Sequence, residues 1–363
     1  MASFKTMKNE FKNFPNGNCK DFDNHPFIIK FGDSNTGLRG FIAIHKKNNS
    51  FPSFGATRLW CYESESEALK DALRLSKMMS YKAAMAGIKA GGAKAVIIQP
   101  EDGKFNRKKL FEAYAAKINL VGGNFITGTD VGLLQKDLDT IKKITPFVVG
   151  FNNNANEFTA LGVYESIKTS LKHLFGGDSI KGRGLAIQGL GKTGSGLLDL
   201  LYKDTKEIFV ADINKEVVKK IKNKYPEIKV VSTRDICKQK VDIFVPCALG
   251  GAINSKTLPY FKCKIIVGSA NNQLENEEMG ALLHKLGILY APDYVVNAGG
   301  LIAVVDEYEN KKYSREIVMN KVMNIKKTLK SIFSESAKQD KPTNIVANEM
   351  AENIFNKYNG RVR

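Results

Sequence analysis

The sequence predicts an α/β protein of two domains, and three observations carry the prediction. The chain has 363 residues, more than one ordinary hydrophobic core accommodates. Short apolar runs typical of buried strands alternate with segments of helical periodicity. The glycine-rich stretch Gly189–Gly194 (GLGKTG) lies between one such run and one such segment, which is the setting of a dinucleotide-binding loop.

Composition narrows the class of protein. Hydrophobic residues make up 43% and charged residues 25% of the chain, as in water-soluble globular proteins, and no apolar run approaches the ~20 residues that span a bilayer. The N-terminal segment has no apolar core, so it does not predict a secretory signal. The five cysteines are scattered without CxxC spacing, which favours reduced thiols in a cytoplasmic protein and predicts neither disulfide bonds nor a metal site.

The formal net charge of +18 raises nucleic-acid binding as an alternative function. However, the lysines are spread along the whole chain, without a long basic block or interleaved aromatic residues. A composition rich in lysine, asparagine and isoleucine explains the charge more simply. We therefore expect neither nucleic acid nor a membrane as a partner.

The first half of the chain contains predicted elements of both kinds. Gly40–Ile44 is predicted to form a strand. Ser64–Glu67 has the form of a capping box and precedes residues of helical periodicity, so a helix is predicted that ends near Lys82. A second helix is predicted over Arg107–Val121, and the polar, asparagine-rich segment Phe147–Asn156 is predicted to cross between the domains.

Lys82 and Lys94 are the candidate functional lysines of this half. Lys94 follows Gly91–Ala93, which predicts a tight turn, and precedes the apolar run Ala95–Ile98, which predicts a buried strand. A lysine in that setting is poorly hydrated, so its pKa falls from about 10.4 toward roughly 7–8, where it acts as a general base. The alternative is that both lysines are solvated and the glycines only form a turn.

A candidate carboxylate follows the apolar run that begins at Phe125. The sequence Gly128-Thr129-Asp130 places Asp130 at the end of a predicted strand, where α/β sheets gather their functional groups. Taken alone, an aspartate in such a position is more often a helix cap than a catalytic residue. Both interpretations stay open at this point.

The second half opens with a predicted dinucleotide-binding unit. A strand at Gly184–Gln188 precedes GLGKTG, and a helix is predicted over Ser195–Tyr202. The glycines permit a tight turn, close approach of a pyrophosphate and close packing of helix on strand, while the helix N-terminus faces the phosphates. The next predicted strand, Ile208–Ala211, ends at Asp212, whose carboxylate accepts from the adenosine ribose and repels a 2′-phosphate. The sequence therefore predicts a Rossmann-type domain that binds NAD rather than NADP.

Three further strands are predicted, and each is followed by small or polar residues. The strands are Val241–Val245, Lys264–Val267 and Gly287–Ala291. Each following stretch alone is consistent with an ordinary loop, but strand ends in such sheets converge on the nucleotide, so together they favour a binding site. A long helical region from about Tyr313 to Tyr358 closes the chain.

Several long, ordered motifs match one family of enzymes. They include YKAAMAGIKAGGAKAVI, TGTDVG, GLGKTG, VDIFVPCALGG, GSANNQL and YAPDYVVNAGGLI. From about Gly37 to Ser336 the chain resembles the amino-acid dehydrogenases that act on leucine, valine and phenylalanine and are related to glutamate dehydrogenase. Within that group it is most similar to the leucine enzymes, through Arg58-Leu59-Trp60 and the stretches IVGSANNQLENEE and GILYAPDYVVNAGG.

The resemblance implies reversible oxidative deamination of an L-amino acid to a 2-oxo acid and ammonium, with NAD. It assigns Lys82 to the substrate carboxylate and Lys94 to the activation of water. It assigns Asp130 to proton transfer and Asn297 to the substrate amino group. The implied substrate pocket also contains Phe54, Gly55, Gly128, Leu301 and Val304. The implied cofactor-binding residues are Gly189, Gly191, Lys192, Thr193, Gly194, Asp212, Ile213, Thr159, Cys247, Ala248, Leu249 and Asn271.

The resemblance also implies how the chain is organised. Residues 1–152 are expected to form a substrate-binding and oligomerisation domain, and residues 153–335 the Rossmann NAD-binding domain, with a cleft between them. Helices within residues 336–363 are expected to pack back on the first domain. We expect a homo-oligomer whose other partners are the small-molecule amino acid, 2-oxo acid and ammonium.

Three functions remain open. The first is a dehydrogenase of the branched-chain amino acids leucine, valine and isoleucine, and the second is an aromatic, phenylalanine-type dehydrogenase. The third is a non-catalytic nucleotide-binding protein, against which the intact lysines, aspartate and asparagine argue. Ala56 and Ala93 stand where the family usually has glycine, which bears on carboxylate geometry and substrate preference more than on the reaction.

Overall fold

The chain divides into two compact units in a computed structural model that describes residues 21–46, 51–100, 105–151, 155–205, 207–248, 250–310 and 314–360. Unit 1 comprises Met1–Phe151, Glu307–Glu309 and Ile354–Arg363, and unit 2 comprises Asn152–Asp306 and Asn310–Asn353. Most of residues 336–363 thus group with unit 2, whereas the resemblance implied that they pack on the first domain. Only their last part, from Ile354, groups with unit 1.

Unit 1 is built on a six-stranded mixed sheet. Its strands run in the order β1-β2-β5-β3-β6, and β4 also pairs with β5. The strands are β1 (Phe27–Asp33), β2 (Leu38–His45), β3 (Ser53–Phe54), β4 (Thr57–Trp60), β5 (Gly91–Ile98) and β6 (Phe125–Ile126). The helices are α1 (Glu65–Met85), α2 (Arg107–Leu120) and α3 (Gln135–Lys142). Strand β2 and helix α2 confirm the strand and the second helix predicted for this half.

Strand β5 is the centre of this sheet. It pairs antiparallel with β2 and parallel with β3 and β4, and all of its residues are buried. Successive side chains of a strand point to opposite faces. Accordingly, Ala95 and Ile97 belong to a core that includes α2, and Val96 and Ile98 belong to a core that includes α1. Lys94, two residues before Val96, therefore lies on the α1 face of the sheet.

The predicted glycine turn is wrong, because Gly91–Ala93 are the first residues of β5 itself. A Cβ added to Gly92 would lie 2.0 Å from the backbone nitrogen of Ser80 in α1, and one added to Gly91 would lie 1.9 Å from the carbonyl oxygen of Lys46. Glycine within a strand commonly marks such a close approach of another backbone. The two glycines therefore let a helix and a loop pack tightly on the sheet instead of reversing the chain.

Helix α1 carries the first candidate lysine to the sheet. The side chain of Ser64 caps the helix by accepting from the N–H of Glu67 at 3.1 Å. The carboxylate of Glu67 accepts from the N–H of Glu63 at 2.9 Å instead of returning to Ser64, so the predicted capping box is half-formed. The helix ends at Met85, which places Lys82 in its last turn, as predicted.

Unit 2 is built on a six-stranded parallel sheet. Its strands are β7 (Gly184–Gln188), β8 (Glu207–Ala211), β9 (Lys229–Val230), β10 (Ile243–Pro246), β11 (Ile265–Ile266) and β12 (Leu289–Tyr290). They lie in the order β12-β11-β10-β7-β8-β9, and every pair is parallel. Numbered within the unit, this is the Rossmann order 3-2-1-4-5-6, whose switch point lies between β7 and β10. The predicted α/β fold class and the Rossmann-type sheet are confirmed.

The helices of unit 2 cover its sheet and continue to the end of the chain. They are α4 (Ala155–Phe175), α5 (Lys192–Leu201), α6 (Lys215–Lys224), α7 (Glu277–Lys285), α8 (Asp293–Val296), α9 (Gly299–Glu309), α10 (Arg315–Gln339) and α11 (Thr343–Gly360). Helix α5 begins three residues before its predicted start, so Gly194 lies inside its first turn. The predicted closing helical region is two helices, because Asp340 adopts a left-handed conformation (φ 51°) that ends α10. Within the described ranges, no helix is both long enough and apolar enough to cross a membrane.

The close packing at the start of β5 leads to a prediction about the free energy of unfolding. We expect Gly92→Ala to lower the free energy of unfolding by about 3 kcal/mol or more, because the new methyl group overlaps the backbone of α1 and not a movable side chain. Gly177→Ala is the control, since an added Cβ there meets no atom within 4 Å and its φ is not left-handed. Urea unfolding measures both variants, and equal midpoints for the two would contradict the packing argument.

Candidate active site

Lys94 and Asp130 form a direct ion pair in unit 1. The distance from Lys94 Nζ to Asp130 Oδ2 is 2.6 Å, and the two side chains are 7% and 18% exposed. Asp130 reaches the lysine because the segment after β6 runs beside β4, where the N–H of Thr57 donates to the carbonyl oxygen of Gly128 at 3.0 Å. The carboxylate is therefore the partner of a buried amine and not the helix cap considered from the sequence.

Burial and neighbouring charges act together on this pair. Burial lowers the pKa of Lys94, while Asp130 raises it and Arg58 lowers it further. Burial prevails, so the Lys94 pKa lies below its usual value, in the direction that a general base requires. Burial raises the pKa of Asp130, but Lys94 and Arg58 outweigh this effect and hold that pKa at about 2. The site therefore keeps the carboxylate ionised while it weakens proton binding by the amine.

Arg58 belongs to this site although the sequence did not identify it as a functional residue. Its Nε donates to Asp130 Oδ2 at 3.0 Å, and its second branch donates to Asp71 Oδ2 at 2.8 Å. Asp71, on α1, also accepts from the hydroxyl of Tyr62 at 2.7 Å and from Arg74 at 2.9 Å. One guanidinium thus connects the Asp130 carboxylate to a second carboxylate that is itself anchored twice.

Lys82 stands near the start of the strand that carries Lys94. It lies in the last turn of α1, two residues after Ser80, whose hydroxyl accepts from the N–H of Gly92 at 2.9 Å. This hydrogen bond fixes the end of α1 to the beginning of β5. Both predicted lysines are therefore held by the same helix–strand contact in unit 1.

Three of the predicted substrate-pocket residues also belong to unit 1. A Cβ added to Gly55 would lie 2.0 Å from the carbonyl oxygen of Ala93, so Gly55 permits close packing against β5. Phe54 is buried, and its ring packs edge-on against Tyr308 with 5.4 Å between the ring centroids. Gly128 is roomier, because an added Cβ would be 3.6–3.7 Å from its nearest neighbours, which include Val149.

The glycines of GLGKTG serve three different purposes in unit 2. Gly189 adopts φ +100°, and an added Cβ would lie 2.7 Å from the nitrogen of Ala248. Gly194 packs so closely that an added Cβ would lie 2.1 Å from the carbonyl oxygen of Gly189. Gly191 caps α5, and an added Cβ there would meet nothing within 4 Å. The open side of Gly191 at a helix N-terminus is the place where a pyrophosphate fits.

Asp212 lies directly beside this loop. Its Oδ2 accepts from the N–H of Leu190 at 2.6 Å, and its Oδ1 accepts from the N–H of Asn214 at 2.8 Å. Each carboxylate oxygen has lone pairs left for further donors, such as ribose hydroxyls. The loop and the acid together fit a dinucleotide.

The other predicted cofactor residues surround the same strand ends. Lys192 is exposed and Thr193 half-buried in the first turn of α5, and Ile213 is 86% exposed after Asp212. Cys247 follows β10, and its N–H donates to Gln188 at 2.7 Å, next to the glycine loop. Leu249 lies outside the described residues.

Asn297 presents an unused acceptor in unit 2. It follows α8, and its Nδ2 donates to Asn271 Oδ1 at 2.8 Å and to the carbonyl oxygen of Ser269 at 3.1 Å. Its Oδ1 is buried and has no hydrogen-bond partner among the described residues. A buried acceptor without a partner is unfavourable, so this oxygen is suited to receive a donor from a ligand.

The start of α9 packs on α4 beside Asn297. A Cβ added to Gly299 would lie 2.0 Å from the carbonyl oxygen of Phe158, and one added to Gly300 would lie 2.9 Å from Thr159 Oγ1. These glycines bring the two helices together at the predicted cofactor residue Thr159. The predicted pocket residues Leu301 and Val304, three positions apart, share one face of α9, where the first is buried and the second is half-buried.

Two family models match the chain. The model of the glutamate/leucine/phenylalanine/valine dehydrogenases matches residues 199–356, and that of their dimerisation domain matches residues 27–146. The chain belongs to this family. It is therefore an amino acid dehydrogenase, and the predicted enzyme class is confirmed.

Individual relatives within the family act on different amino acids according to their names. The leucine dehydrogenase of Geobacillus stearothermophilus is 41% identical over 88% of this chain and 88% of its own length. The phenylalanine dehydrogenase of Lysinibacillus sphaericus is 42% identical over 86% of this chain and 84% of its own. The crystal structure of L-tryptophan dehydrogenase from Nostoc punctiforme is 40% identical, covers 92% of this chain and 97% of its own, and gives a TM-score of 0.80. Membership of the family therefore leaves the amino acid substrate undetermined.

The buried amine makes a prediction about the pH dependence of this dehydrogenase. Catalysis by a general base requires neutral Lys94, so the wild-type kcat/KM should rise with pH and level off above the lysine's lowered pKa. Lys94→Ala should lose this dependence and lower kcat by ~10²–10⁴-fold, while binding of the reduced cofactor stays nearly unchanged.

Steady-state kinetics between pH 6 and 10 and fluorescence titration with cofactor measure these effects. Lys89→Ala is the control, because Lys89 is an exposed lysine five positions earlier in the chain. If Lys94→Ala keeps more than about a tenth of wild-type kcat, a general-base role is excluded.

Proposed function

We propose that the chain catalyses NAD-dependent, reversible oxidative deamination of an L-amino acid with an apolar side chain, with leucine, valine and isoleucine as the preferred group. The observation that carries this proposal is the buried Lys94–Asp130 pair, with 2.6 Å between Nζ and Oδ2. An amine with a lowered pKa beside an ionised carboxylate is suited to move protons as water attacks and ammonia departs. The glycine-rich loop of unit 2 supports a dinucleotide as the second reactant.

Each polar side chain has one task in the proposed reaction. Lys82 binds the substrate carboxylate by charge, and Asn297 accepts from the substrate amino group with its unpartnered oxygen. The bound nicotinamide supplies the hydride acceptor for the hydrogen on Cα. Lys94 takes a proton from the water that adds to the imine carbon of the substrate. Asp130 passes the proton on to the leaving nitrogen, which departs as ammonia.

The cofactor preference rests on Asp212. A 2′-phosphate next to this carboxylate would meet a like charge, whereas the ribose hydroxyls of NAD would donate to it. We expect kcat/KM with NAD to exceed that with NADP by ~10²-fold, which corresponds to about 2.7 kcal/mol of discrimination.

The variant Asp212→Asn tests the source of this preference. It keeps one oxygen for the N–H of Leu190, loses the acceptor of the Asn214 N–H and removes the charge, so the NAD/NADP ratio should fall by about tenfold. Comparable wild-type efficiency with the two cofactors would show that Asp212 is not the discriminating acid, or that a nearby cation such as Lys215 neutralises it.

The proposed side-chain pocket is apolar. Its lining residues are Phe54, Gly128, Leu301 and Val304. A charged substrate such as glutamate would lose its hydration there without gaining a partner, so apolar amino acids are favoured. The Phe54 ring, held edge-on by Tyr308, narrows the pocket and favours branched-chain side chains.

Aromatic amino acids are the second candidate substrates, and Gly128 is the observation that favours them. The space beside this glycine accommodates an extra methyl group at ordinary van der Waals distance, and its φ is not left-handed. In this proposal that space widens the pocket beside Gly128. An apolar pocket separates substrates that differ by one methylene by only ~1–3 kcal/mol, so we expect activity on several apolar amino acids.

The variant Gly128→Ala separates the two candidates. The new methyl group should lower kcat/KM for phenylalanine by ~10-fold or more while it spares leucine, because it fills space that only the larger side chain needs. Assays with leucine, valine, isoleucine and phenylalanine on both proteins give the ratios. Should the wild type prefer phenylalanine by about tenfold or more, the branched-chain proposal gives way to the aromatic one.

We further propose that the chain acts as a homo-oligomer assembled through its first domain. The support is the match of residues 27–146 to the dimerisation domain of the family. Apart from copies of itself, its proposed partners are the amino acid, the 2-oxo acid, ammonium and the cofactor.

A further inference from the structure

We propose that Arg58 is a positioning residue of this dehydrogenase, which holds Asp130 in place and takes part of its charge so that Asp130 does not lock Lys94 in the protonated form. The proposal rests on the general-base role proposed for Lys94. Arg58 itself is not expected to touch the substrate. It acts through the carboxylate that it shares with the lysine.

The geometry places both cations on the same oxygen of one carboxylate. Asp130 Oδ2 lies 2.6 Å from Lys94 Nζ and 3.0 Å from Arg58 Nε. Arg58 reaches this oxygen because β4 runs parallel to β5, with Arg58 opposite Val96, the residue two positions after Lys94 on the same face. An oxygen that accepts from a guanidinium as well has less negative charge to offer to an ammonium.

The Nη1 group of Arg58 is also held by a carboxylate, as its Nε is. Asp71 accepts from it at 2.8 Å and is held in turn by the Tyr62 hydroxyl at 2.7 Å and by Arg74 at 2.9 Å. The Arg58 and Asp71 side chains are only 21% and 13% exposed, so solvent screens the contact weakly. A planar guanidinium held between two carboxylates has little freedom, and so it fixes Asp130 in one orientation.

The charges of the cluster balance when Lys94 is neutral. Asp130 and Asp71 carry two negative charges, and Arg58 and Arg74 carry two positive charges. Protonation of Lys94 adds a further positive charge to this cluster, in which Arg74 is the most exposed member at 45%, and this charge disfavours the ammonium form. Without Arg58 the cluster would have a negative excess, and a proton on Lys94 would restore the balance. Arg58 therefore favours the neutral amine that the reaction needs.

Among the described residues, Arg58 is the one cation other than Lys94 that is paired with Asp130. The groups that act on Lys94 are Asp130 after β6, Arg58 on β4 and Asp71 on α1. The residue paired with Lys94 on β2 is the uncharged Ala43. Helix α1 also carries Lys82, which adds a positive charge and cannot substitute for a cation bound to Asp130.

The decisive experiment compares three variants of the full chain. Arg58→Gln removes the charge, and Arg58→Lys keeps the charge but cannot bridge two carboxylates as a fork does. Arg107→Gln is the matched control, since Arg107 also makes two bonds to a buried carboxylate, that of Asp137, at 2.8 and 2.6 Å, and is similarly exposed. Loss of a buried arginine–aspartate pair is thus common to the control and the test.

Two measurements are made on each protein. The first is kcat/KM against pH with an apolar amino acid. The second is the pH midpoint of acetylation of Lys94 by trace acetic anhydride, read by mass spectrometry of the peptide that holds it. The second readout follows the amine directly and needs no catalytic activity, so it tests Arg58 even if the proposed substrate is wrong.

We expect the midpoint of both curves to move up by about one pH unit or more in Arg58→Gln, because the amine loses a neighbouring positive charge. At pH 7 this variant should be about tenfold or more less active than wild type, and it should recover part of that loss at high pH. Arg58→Lys should give a smaller shift, and Arg107→Gln should lower the melting temperature without moving either midpoint.

Unmoved midpoints in Arg58→Gln, or an equal loss of activity at every pH, would overturn the proposal and leave Arg58 a structural residue. If Arg58→Gln does not fold, Tyr62→Phe takes its place, because it removes only one hydrogen bond to Asp71. A small upward shift in that variant supports the proposal, and no shift contradicts it. If the wild type is inactive but Arg58→Gln still shifts the acetylation midpoint of Lys94, the proposed function is rejected and the role of Arg58 stands.

Discussion

A single buried amine is the constraint on which unit 1 depends. Lys94 lies in the middle of a strand that is buried on both faces, where an isolated ammonium group is strongly disfavoured. The chain meets this constraint by bringing Asp130 from one neighbouring segment and Arg58 from another, so that charge is balanced by protein groups where water is scarce. The glycines at the start of the same strand let α1 close over it. The packing and the protonation of the site are thus parts of one arrangement.

The sequence predicted unit 2 well because its determinants are local. A strand, a glycine loop, a helix and a second strand follow one another from Gly184 to Ala211, and the spacing of Gly189 to Asp212 is set by the length of one βαβ unit. The strand order then follows from short, right-handed connections between parallel strands. The spacing did not predict the start of α5 correctly. The helix begins earlier than predicted because a helix end depends on the hydrogen bonds of its first turn.

The contacts of Arg58 were beyond prediction from spacing because they depend on strand register. Asp71 is 13 positions away and Asp130 is 72 positions away along the chain, and the three meet only when β4 lies parallel to β5 with Arg58 opposite Val96. The glycines of β5 were misinterpreted for the same reason. Gly92 is required by the backbone of α1 and Gly91 by the carbonyl oxygen of Lys46, and the sequence around the two glycines reveals neither contact. The one available signal was Asp71, a carboxylate between the core residues Leu69 and Leu73.

The hydrogen bonds of Asp212 give this side chain a structural role in addition to the role proposed for it in cofactor binding. It supports the backbone of the glycine loop at Leu190 and the turn after its own strand at Asn214. A mutation that replaces Asp212 to admit a bulkier or more negative cofactor also removes a hydrogen-bond acceptor that supports the glycine loop. The same loop must still hold the new cofactor. Under the role proposed for Asp212, a change of coenzyme preference in this chain therefore needs at least two coordinated changes, one for the charge and one to restore the acceptor of the Leu190 N–H.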